Sequence, residues 1–368
     1  DYAVYLSQQT MTDKTFYTTP MKALSNQKFQ DLQKIYGVDE VGLLTGDTSI
    51  NPTARIVIMT TEVLRNMLYA SSDLLKDLRF VVMDEVHYLA DKFRGPVWEE
   101  VILHLPQDVA LVSLSATVSN AEEFGEWLRA VRGHTDIIVS EDRPVPLFQH
   151  VYARGELYEL FEPGGEFQNP PRIHRDVQGL GRGQHRFGGG GGGRNNRRSV
   201  PRERIRERRS GPVDIASVLA DHTMLPAIFF IFSRKGCDNA VRDVLFSGEV
   251  LTTPEDRDEI RSVIESRTAH LSGDDLSSLG FHEWEDSLMA GVASHHAGLI
   301  PVFKEIVEHL FRRKLVKLVF ATETLALGIN MPARSVVLEK MDKYNGESRV
   351  AITPGEYTQL TGRAGRRG

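Results

Sequence analysis

Cysteine is almost absent from this sequence, and long apolar runs are absent altogether. The single cysteine among 368 residues, Cys237, excludes an intramolecular disulfide and any metal site built from several thiolates. A reducing compartment suits such a chain, and we expect it to be cytoplasmic. The longest apolar run, at 225–232, contains Pro226 and is far too short to cross a membrane, so we expect no membrane partner.

A glycine-rich phosphate-binding loop is also missing. The pattern G-x-x-x-x-G-K-[ST], whose backbone N–H groups and lysine hold nucleotide phosphates, occurs nowhere in the 368 residues. The six consecutive glycines at 188–193 do not replace it, because no Lys-Ser or Lys-Thr follows them and no predicted strand precedes them. Nucleotide chemistry in this chain must therefore be argued from other motifs.

A net excess of positive charge is concentrated in one segment. The net charge is -6, yet residues 172–209 hold twelve arginines and only three acidic residues, so the other residues together carry -15. The stretch 163–211 also contains the six glycines and cannot bury a core, so we expect a disordered Arg/Gly-rich insertion there. Two interpretations stay open: an arm that attracts RNA phosphates, or a solvated insertion that a surface loop tolerates at small cost.

Predicted strands and helices alternate through the rest of the chain. This alternation is typical of parallel, doubly wound α/β sheets. Because the same pattern resumes after the Arg/Gly-rich insertion, we expect two domains, 1–142 and 143–368, that face each other across a cleft. The predicted strands lie at 15–19, 41–44, 54–59, 80–83, 109–114, 136–139, 227–232, 315–320 and 335–338, and the predicted helices at 22–36, 98–105, 122–131, 236–246, 256–269 and 301–312.

Polar residues follow several of the predicted strands directly. Asp84-Glu85-Val86-His87 comes after the apolar run 80–83, at the strand end where sheets of this class bind ligands. An acid there can hold Mg²⁺ through water, and its neighbour can accept a proton from an attacking water. Two carboxylates after one strand can equally be a strand ended by solvated charges, so other motifs must decide.

Eight short motifs occur in order along the chain, and together they favour a functional site at Asp84 and Glu85 over a solvated strand end. Each is modest alone, but the series closely resembles superfamily 2 helicases. Within these it is similar to the superkiller/exosome-helicase branch of DExH-box RNA helicases, and most of all to the bacterial HelY-type members. The resemblance covers nearly the whole chain except the Arg/Gly insertion. The motifs are P-M-K-A-L (20–24), T-G-D (45–47), T-T-E (60–62), D-E-V-H (84–87), S-A-T (115–117), H-H-A-G (295–298), A-T-E-T-L-A-x-G-I-N-M-P (321–332) and Q-x-x-G-R-A-G-R-R-G (359–368).

The resemblance implies that two RecA-like domains hydrolyse ATP with Mg²⁺ between them. Asp84 matches the acid that holds the ion through water, and Glu85 matches the general base for the attacking water. Gln359 matches the residue that orients that water or the γ-phosphate. Arg363 and Arg366 match the arginine-finger motif, whose charge stabilises phosphoryl transfer.

Other positions match residues around the nucleotide rather than on the reacting atoms. Gly328 and Asn330 match a motif that helps to line the nucleotide site. His87 is counted with the predicted catalytic residues, and it also matches a residue that couples the nucleotide state to strand binding. The same coupling role is implied for Ser115, Ala116 and Thr117.

The resemblance also implies contacts with single-stranded nucleic acid, RNA preferred, and 3′-to-5′ movement along it. The matching residues are mostly small, hydroxylated or backbone-exposing, which suits phosphates and sugars rather than bases. An RNA-degradation or ribosome-linked assembly is the implied partner. The implied nucleic-acid contacts are Pro20, Lys22, Gly46, Thr60, Thr61, Glu62, Ser233, Lys235, His296, Gly298, Thr322 and Glu323.

The missing phosphate loop is the one large departure from the family. The resemblance places that loop just before Asp1, so we expect 1–368 to be a segment of a longer protein, with both domains incomplete and negligible ATP turnover by itself. Two alternatives remain: a DNA helicase of repair, whose core motifs overlap, and a non-catalytic scaffold that binds RNA through the Arg/Gly arm. The intact Asp84, Glu85 and Arg366 speak against the scaffold.

Overall fold

The chain folds into two compact units. The computed structural model describes residues 13–91, 94–115, 121–140, 145–165, 168, 171–181, 211–326, 331–344 and 348–365. The first unit comprises 1–142 together with 325–330 and 350–361. The second comprises 143–324, 331–349 and 362–368.

A six-stranded sheet organises the first unit. Its strands are Lys14–Thr19 (β1), Val41–Leu44 (β2), Ser49–Ile50 (β3), Ile56–Thr60 (β4), Leu78–Met83 (β5) and Ala110–Ser113 (β6). Their order is β3-β2-β4-β1-β5-β6, and every neighbouring pair except β2 and β3 is parallel. Side chains such as Phe16, Ile56 and Val81 are fully buried, as expected where helices cover both faces of a parallel sheet.

Helices lie on both faces of this sheet, and successive strand residues point to these two faces in turn. Phe16 packs in one cluster with Trp98, whereas its neighbour Tyr17 packs in another with Leu32 and Val82. The helices are Lys22–Tyr36 (α1), Thr61–Tyr69 (α2), Gly95–His104 (α3) and Ala121–Arg132 (α4), with 3-10 turns at Asp73–Leu75 and Val86–Ala90 and a further helix at Pro354–Thr361.

A second sheet, of four parallel strands, organises the second unit. The chain first forms the antiparallel hairpin His150–Ala153 (β7) and Glu156–Glu159 (β8). The sheet then consists of Ala227–Phe230 (β9), Val292–His295 (β10), Leu318–Ala321 (β11) and Ser335–Leu338 (β12), in the order β10-β11-β9-β12. Its core cluster includes Phe229, Phe320 and Cys237. Two further short strands are Asp342–Tyr344 and Arg349–Ala351.

The helices of the second unit fall between these strands. They are Arg175–Gly181 (α5), Pro212–Asp221 (α6), Arg234–Ser247 (α7), Pro254–Thr268 (α8), Gly273–Ser278 (α9), Phe281–Met289 (α10) and Pro301–Arg312 (α11). No helix in the described part of the chain is both long enough and apolar enough to span a lipid bilayer.

The predicted α/β class with parallel sheets is confirmed, and two local predictions are wrong. No strand forms at 136–139, where Ile138 is 91% exposed. The predicted disorder of 163–211 is wrong at the beginning of that stretch, because Ile173 bridges to Phe161 and α5 follows. Residues 182–210, with the six glycines and most of the arginines, lie outside the described residues.

Candidate functional site

The carboxyl ends of the parallel strands bring the predicted residues of the first unit to one edge of its sheet. Thr19 of β1 is in register with Thr60 of β4, and Thr18 with Met83 of β5. Met83 is in turn in register with Ser113 of β6. The residues that follow these strands therefore gather at one edge: Pro20, Lys22, Gly46, Thr61, Glu62, Asp84, Glu85 and Ser115.

Asp84 is held at this edge by three hydrogen bonds. The Tyr17 hydroxyl donates to Oδ2 of Asp84 at 2.7 Å, and the Glu85 N–H donates to Oδ1 at 3.0 Å. The Asp84 N–H donates to the Thr18 carbonyl at 2.9 Å. Since a carboxylate offers about four lone-pair positions, and Asp84 is only partly buried, both of its oxygens can still accept bonds from water.

Glu85 has a left-handed backbone that directs its carboxylate toward His87. Its φ of 54° and ψ of 45° are unusual for a residue with a side chain, and such conformations cluster at functional sites. The Glu85 carbonyl accepts a bond from the Tyr88 N–H at 3.1 Å, which starts the 3-10 turn. Glu85 Oε2 lies 3.2 Å from Nδ1 of His87.

His87 connects this edge to Gln359 of the helix Pro354–Thr361. The Gln359 side-chain amide contacts Nε2 of His87 directly. Burial lowers the pKa of His87, and the Asp84 charge opposes that shift without reversing it. The imidazole is therefore neutral near pH 7, so Nε2 can accept from the amide of Gln359 while Nδ1 carries the proton. Nδ1 lies near the Glu85 carboxylate but makes no hydrogen bond within the described part of the chain. Four predicted catalytic residues, Asp84, Glu85, His87 and Gln359, thus come together in the first unit.

Two of the predicted nucleic-acid residues of the first unit, Lys22 and Thr61, already bond to other residues of the protein. Lys22 forms an ion pair with Asp47. The hydrogen bond from Lys22 is the main cause that lowers the pKa of Asp47, and the hydrogen bond from Thr45 is the next. A phosphate that binds Lys22 must therefore displace a carboxylate. The Thr61 hydroxyl donates to the Thr19 carbonyl at 3.2 Å.

Pro20 and Gly46 offer their backbones rather than side chains. Pro20 is buried, and its carbonyl accepts a bond from Arg94 at 3.3 Å. Gly46 has no atom within 4 Å of the position that a Cβ would take, and its φ is not positive. Neither crowding nor backbone conformation requires glycine there, and its bare backbone leaves room for the close approach of another molecule.

The second sheet gathers the other predicted residues in the same way. His295, Ala321 and Phe230 are in register at the ends of β10, β11 and β9. The residues that follow them therefore lie at one edge of that sheet: Ser233, Lys235, His296, Gly298, Thr322 and Glu323.

His296 is a buried residue that holds the backbone of this edge in place, and its side chain is not exposed. It is 5% exposed, and its Nδ1 accepts a bond from the Gly298 N–H at 3.1 Å. Because Nδ1 is an acceptor, Nε2 carries the proton that it shares with Asp238 Oδ1 at 2.8 Å. His296 therefore fixes the turn that exposes Ala297 and Gly298. A bound nucleic-acid strand would contact that exposed turn rather than the buried imidazole.

The remaining residues of the second edge differ in availability. Lys235 is exposed, whereas the Ser233 hydroxyl accepts a bond from the Gly236 N–H and so caps α7. The Thr322 hydroxyl is within 2.9 Å of that of Thr324. Glu323 pairs with Lys343 at 2.6 Å.

Arg363 lies in the second unit and is buried. It is 5% exposed, and its carbonyl accepts a bond from the Ala333 N–H at 3.0 Å. Five further predicted residues fall outside the described residues: Ala116, Thr117, Gly328, Asn330 and Arg366.

Magnesium fits the edge of the first sheet. No group of three or more His, Cys, Asp or Glu side chains among the described residues could enclose a metal ion. Mg²⁺ on a nucleotide needs only one or two carboxylates, with phosphates and waters completing its octahedron. The two oxygens of Asp84 that remain open to water supply what such a site requires of the protein.

Sequence reasoning missed three residues that shape these edges: Tyr17, Arg94 and Asp238. A tyrosine inside a buried strand needs a partner for its hydroxyl, and this signal could have pointed to Tyr17. Arg94 both bonds the Pro20 carbonyl and lies 5.8 Å from the ring centroid of Tyr88. No pattern in the sequence connects Asp238 with His296, because 58 residues separate them.

Two family models match the chain, one on each side of the Arg/Gly segment. The model described as DEAD/DEAH box helicase matches residues 2–124, which include the edge around Asp84. The model described as helicase conserved C-terminal domain matches residues 259–368, which include His296 and Gln359. The chain belongs to the helicases that carry these two domains.

Within the helicases, the chain is a homologue of HelY and superkiller proteins, as its motifs predict. It is 54% identical over 369 residues to the probable helicase HelY of Mycobacterium tuberculosis, across 100% of this chain and 40% of the relative. It is 40% identical over 385 residues to superkiller complex protein 2 of Homo sapiens, across 100% of this chain and 29% of the relative. It is 41% identical over 384 residues to the DExH-box ATP-dependent RNA helicase DExH15, chloroplastic, of Arabidopsis thaliana, across 96% of this chain and 32% of the relative. The chain thus spans less than half the length of these relatives.

Proposed function

We propose that the whole protein is an ATP-dependent RNA helicase that moves 3′-to-5′ and hydrolyses ATP at the Asp84 edge. The observation that carries this proposal is the grouping of Asp84, Glu85, His87 and Gln359 in one unit, although 272 residues separate His87 from Gln359 in the sequence. A strand ended by solvated charges would not need a glutamine from so distant a helix. The DEAD/DEAH box family match supports the same assignment.

Each of these side chains has a role that its contacts support. Asp84 would hold Mg²⁺ through water, and the bound ion would supply positive charge to offset that of the phosphates. Glu85 accepts the proton of the attacking water. His87 and Gln359 hold the direction of that carboxylate and of the water.

The other predicted nucleotide contacts complete the proposal. Arg363 and Arg366 supply positive charge to the transferring phosphoryl group. Gly328 and Asn330 line the nucleotide site. Ser115, Ala116 and Thr117 relay the nucleotide state to the strand-binding residues.

Single-stranded RNA is the proposed substrate of the two polar edges. Backbone groups and hydroxyls, such as those around Gly46, Gly298 and Thr322, suit a sugar–phosphate chain read without regard to sequence. The printed name of the Arabidopsis relative includes RNA helicase. We propose further that the protein works in the cytoplasm within an RNA-degradation or ribosome-linked assembly.

The test is ATP hydrolysis and duplex unwinding by the whole protein with matched RNA and DNA strands. We expect RNA to stimulate hydrolysis more than DNA of the same sequence, and unwinding to require a 3′ overhang. Stronger stimulation by DNA would assign the protein to the DNA helicases of repair. RNA binding without any hydrolysis would leave the scaffold alternative, and a 5′ overhang requirement would overturn the polarity.

A further inference from the structure

Tyr17 has a contact that the proposed mechanism does not use. It lies in the middle of β1 and is 2% exposed, yet its hydroxyl bonds to the carboxylate of Asp84 at 2.7 Å. The geometry follows from the sheet: Tyr17 is in register with Val82 of β5, and both pack in the same cluster on one face. Because strand residues two apart point to the same side, Asp84 emerges on that face within reach of the phenol.

We propose that Tyr17 is the positioning residue that orients the Asp84 carboxylate toward the nucleotide-bound Mg²⁺. This inference rests on the proposed function. The hydroxyl donates to Oδ2 while the Glu85 N–H donates to Oδ1, so each oxygen has one bond fixed by the protein. A carboxylate fixed at both oxygens cannot rotate freely, and its remaining lone pairs keep a constant direction toward the waters of the ion.

The surroundings of the Tyr17 hydroxyl favour its role as the hydrogen-bond donor to Asp84. Burial raises the pKa of the phenol, and the Asp84 charge raises it further. A phenol bonded to a carboxylate donates its hydrogen to the carboxylate oxygen, so the hydroxyl is the donor in this contact. Loss of a partner that orients a directly ligating residue weakens metal affinity by about 10–100-fold, and for Asp84, which would hold the ion through water, we expect the lower end of that range.

The position of β1 gives this contact a second consequence. The same strand continues into Pro20 and Lys22, which are proposed nucleic-acid contacts, and its Thr18 carbonyl accepts the Asp84 N–H. Asp84 is therefore fixed by its side chain and its backbone to one strand.

The test is Tyr17→Phe in the whole protein, which removes the hydroxyl and keeps the ring. Electron paramagnetic resonance titration with Mn²⁺ in the presence of ADP measures metal affinity without turnover. We expect the Mn²⁺ dissociation constant to rise about tenfold or more, with ADP affinity in EDTA unchanged. In hydrolysis assays the Mg²⁺ concentration for half-maximal rate should rise by a similar factor.

The matched control is Tyr158→Phe, which removes a tyrosine hydroxyl bonded to the Glu156 carboxylate at 2.9 Å. It should leave Mn²⁺ affinity unchanged. Tyr17→Phe placed on Asp84→Asn should have no further effect on that affinity, because Tyr17 acts through Asp84. A wild-type protein that hydrolyses ATP, with Tyr17→Phe binding Mn²⁺ within twofold of it, would overturn the role of Tyr17 alone. A wild-type protein without hydrolysis would instead overturn the proposed function.

Discussion

Among single residues, His87 carries the most contacts between predicted catalytic groups. It lies between Glu85 and Gln359, and its side chain is 14% exposed. Only the neutral imidazole can accept from the Gln359 amide. The arrangement of Gln359 therefore depends on the protonation of His87, and this dependence can be measured.

Stability should fall in mild acid because of His87. Burial lowers its pKa below the ordinary 6.5, so the unfolded chain takes up a proton at a higher pH than the folded one. Since the unfolded state holds more protons in that range, the free energy of unfolding falls as the pH drops below about 6.5. Denaturant unfolding of the wild type and of His87→Gln, followed from about pH 7.5 to pH 5, should show a smaller decrease in the variant.

The exposed histidine His134 provides a comparison for this titration. Its side chain is 88% exposed, so His134→Gln should keep the wild-type decrease. An equal decrease in the wild type and in His87→Gln would contradict the neutral, buried imidazole described for this site.

The sequence alone points to Asp84 and Glu85 as candidate catalytic residues, but it does not show the contacts that orient them. The two acids follow an apolar run directly, and that local pattern is visible in the chain. Tyr17 reaches Asp84 from 67 residues away, and Gln359 reaches His87 from 272 away. Such pairs arise from strand register and helix placement, which no local pattern encodes.

At the level of elements, strand ends and helix caps decide what each edge can present. Gly42 and Gly46 show the contrast within five residues of chain. A Cβ on Gly42 would lie 2.1 Å from the Asn51 carbonyl oxygen, whereas one on Gly46 would meet nothing within 4 Å. Glycine is thus required by packing at the first position and by nothing in the described structure at the second.

Alanine at these two glycines should therefore have opposite effects. Gly42→Ala forces β2 away from β3 and should lower the free energy of unfolding by about 2 kcal/mol or more. Gly46→Ala should leave it unchanged or raise it by up to about 1 kcal/mol, because the unfolded chain loses freedom. The same Gly46→Ala should weaken RNA binding, measured by fluorescence anisotropy. Unchanged RNA affinity would remove Gly46 from the proposed contacts.

Two helix caps separate a structural role of Ser233 from a binding role. Ser233 caps α7, and Thr253 caps α8 in a capping box with Asp256. Ser233→Ala and Thr253→Ala should each lower the free energy of unfolding by about 1 kcal/mol, as measured by chemical denaturation. Only Ser233→Ala should also reduce RNA affinity.

A second substitution makes this comparison stricter. Ser233→Asp keeps a capping oxygen and so should retain stability, but its charge should repel a phosphate. If Ser233→Asp binds RNA as tightly as the wild type, Ser233 serves the helix alone.

Elements with a clear local pattern of apolar residues are predicted well, whether they are helices or strands. Helices 22–36 and 301–312 and strand 335–338 match the predictions residue for residue. The apolar spacing of α1 also places Ile35 on its buried face, but that prediction is wrong, because Ile35 is 64% exposed. The run 136–139 has strand composition but pairs with no described strand.

The sequence does not predict the hairpin of β7 and β8, because its signal for the turn is weak. Its turn, Arg154-Gly155, has φ of 57° and 89°, which is the double positive φ of a two-residue hairpin turn. Arg-Gly is an unusual pair for such a turn, and Asn-Gly or Asp-Gly would have indicated it directly.

At the scale of the whole molecule, the sequence directly shows that positive and negative charge are separated along the chain. Positive charge is concentrated at 172–209 on an otherwise acidic chain. If that segment binds RNA phosphates, it should dominate the salt dependence of binding. The solvated-insertion interpretation gives it no such effect.

Replacement of the five arginines at 202–209 by glutamine distinguishes these interpretations. The slope of log affinity against log salt should become less steep by about 0.7 for each phosphate that the variant no longer neutralises. The measurement is fluorescence anisotropy with single-stranded RNA at several salt concentrations. A slope equal to that of the wild type would assign the segment to a solvated insertion.

The central claim is that the strand end at Asp84 and Glu85 is a centre of ATP hydrolysis. The most direct measurement is RNA-stimulated hydrolysis by the whole protein with Glu85→Gln, beside the exposed Glu122→Gln as a control. We expect Glu85→Gln to keep ATP and RNA binding but to lose at least about 100-fold in turnover, as loss of a general base does. Near-normal turnover in Glu85→Gln would contradict the account.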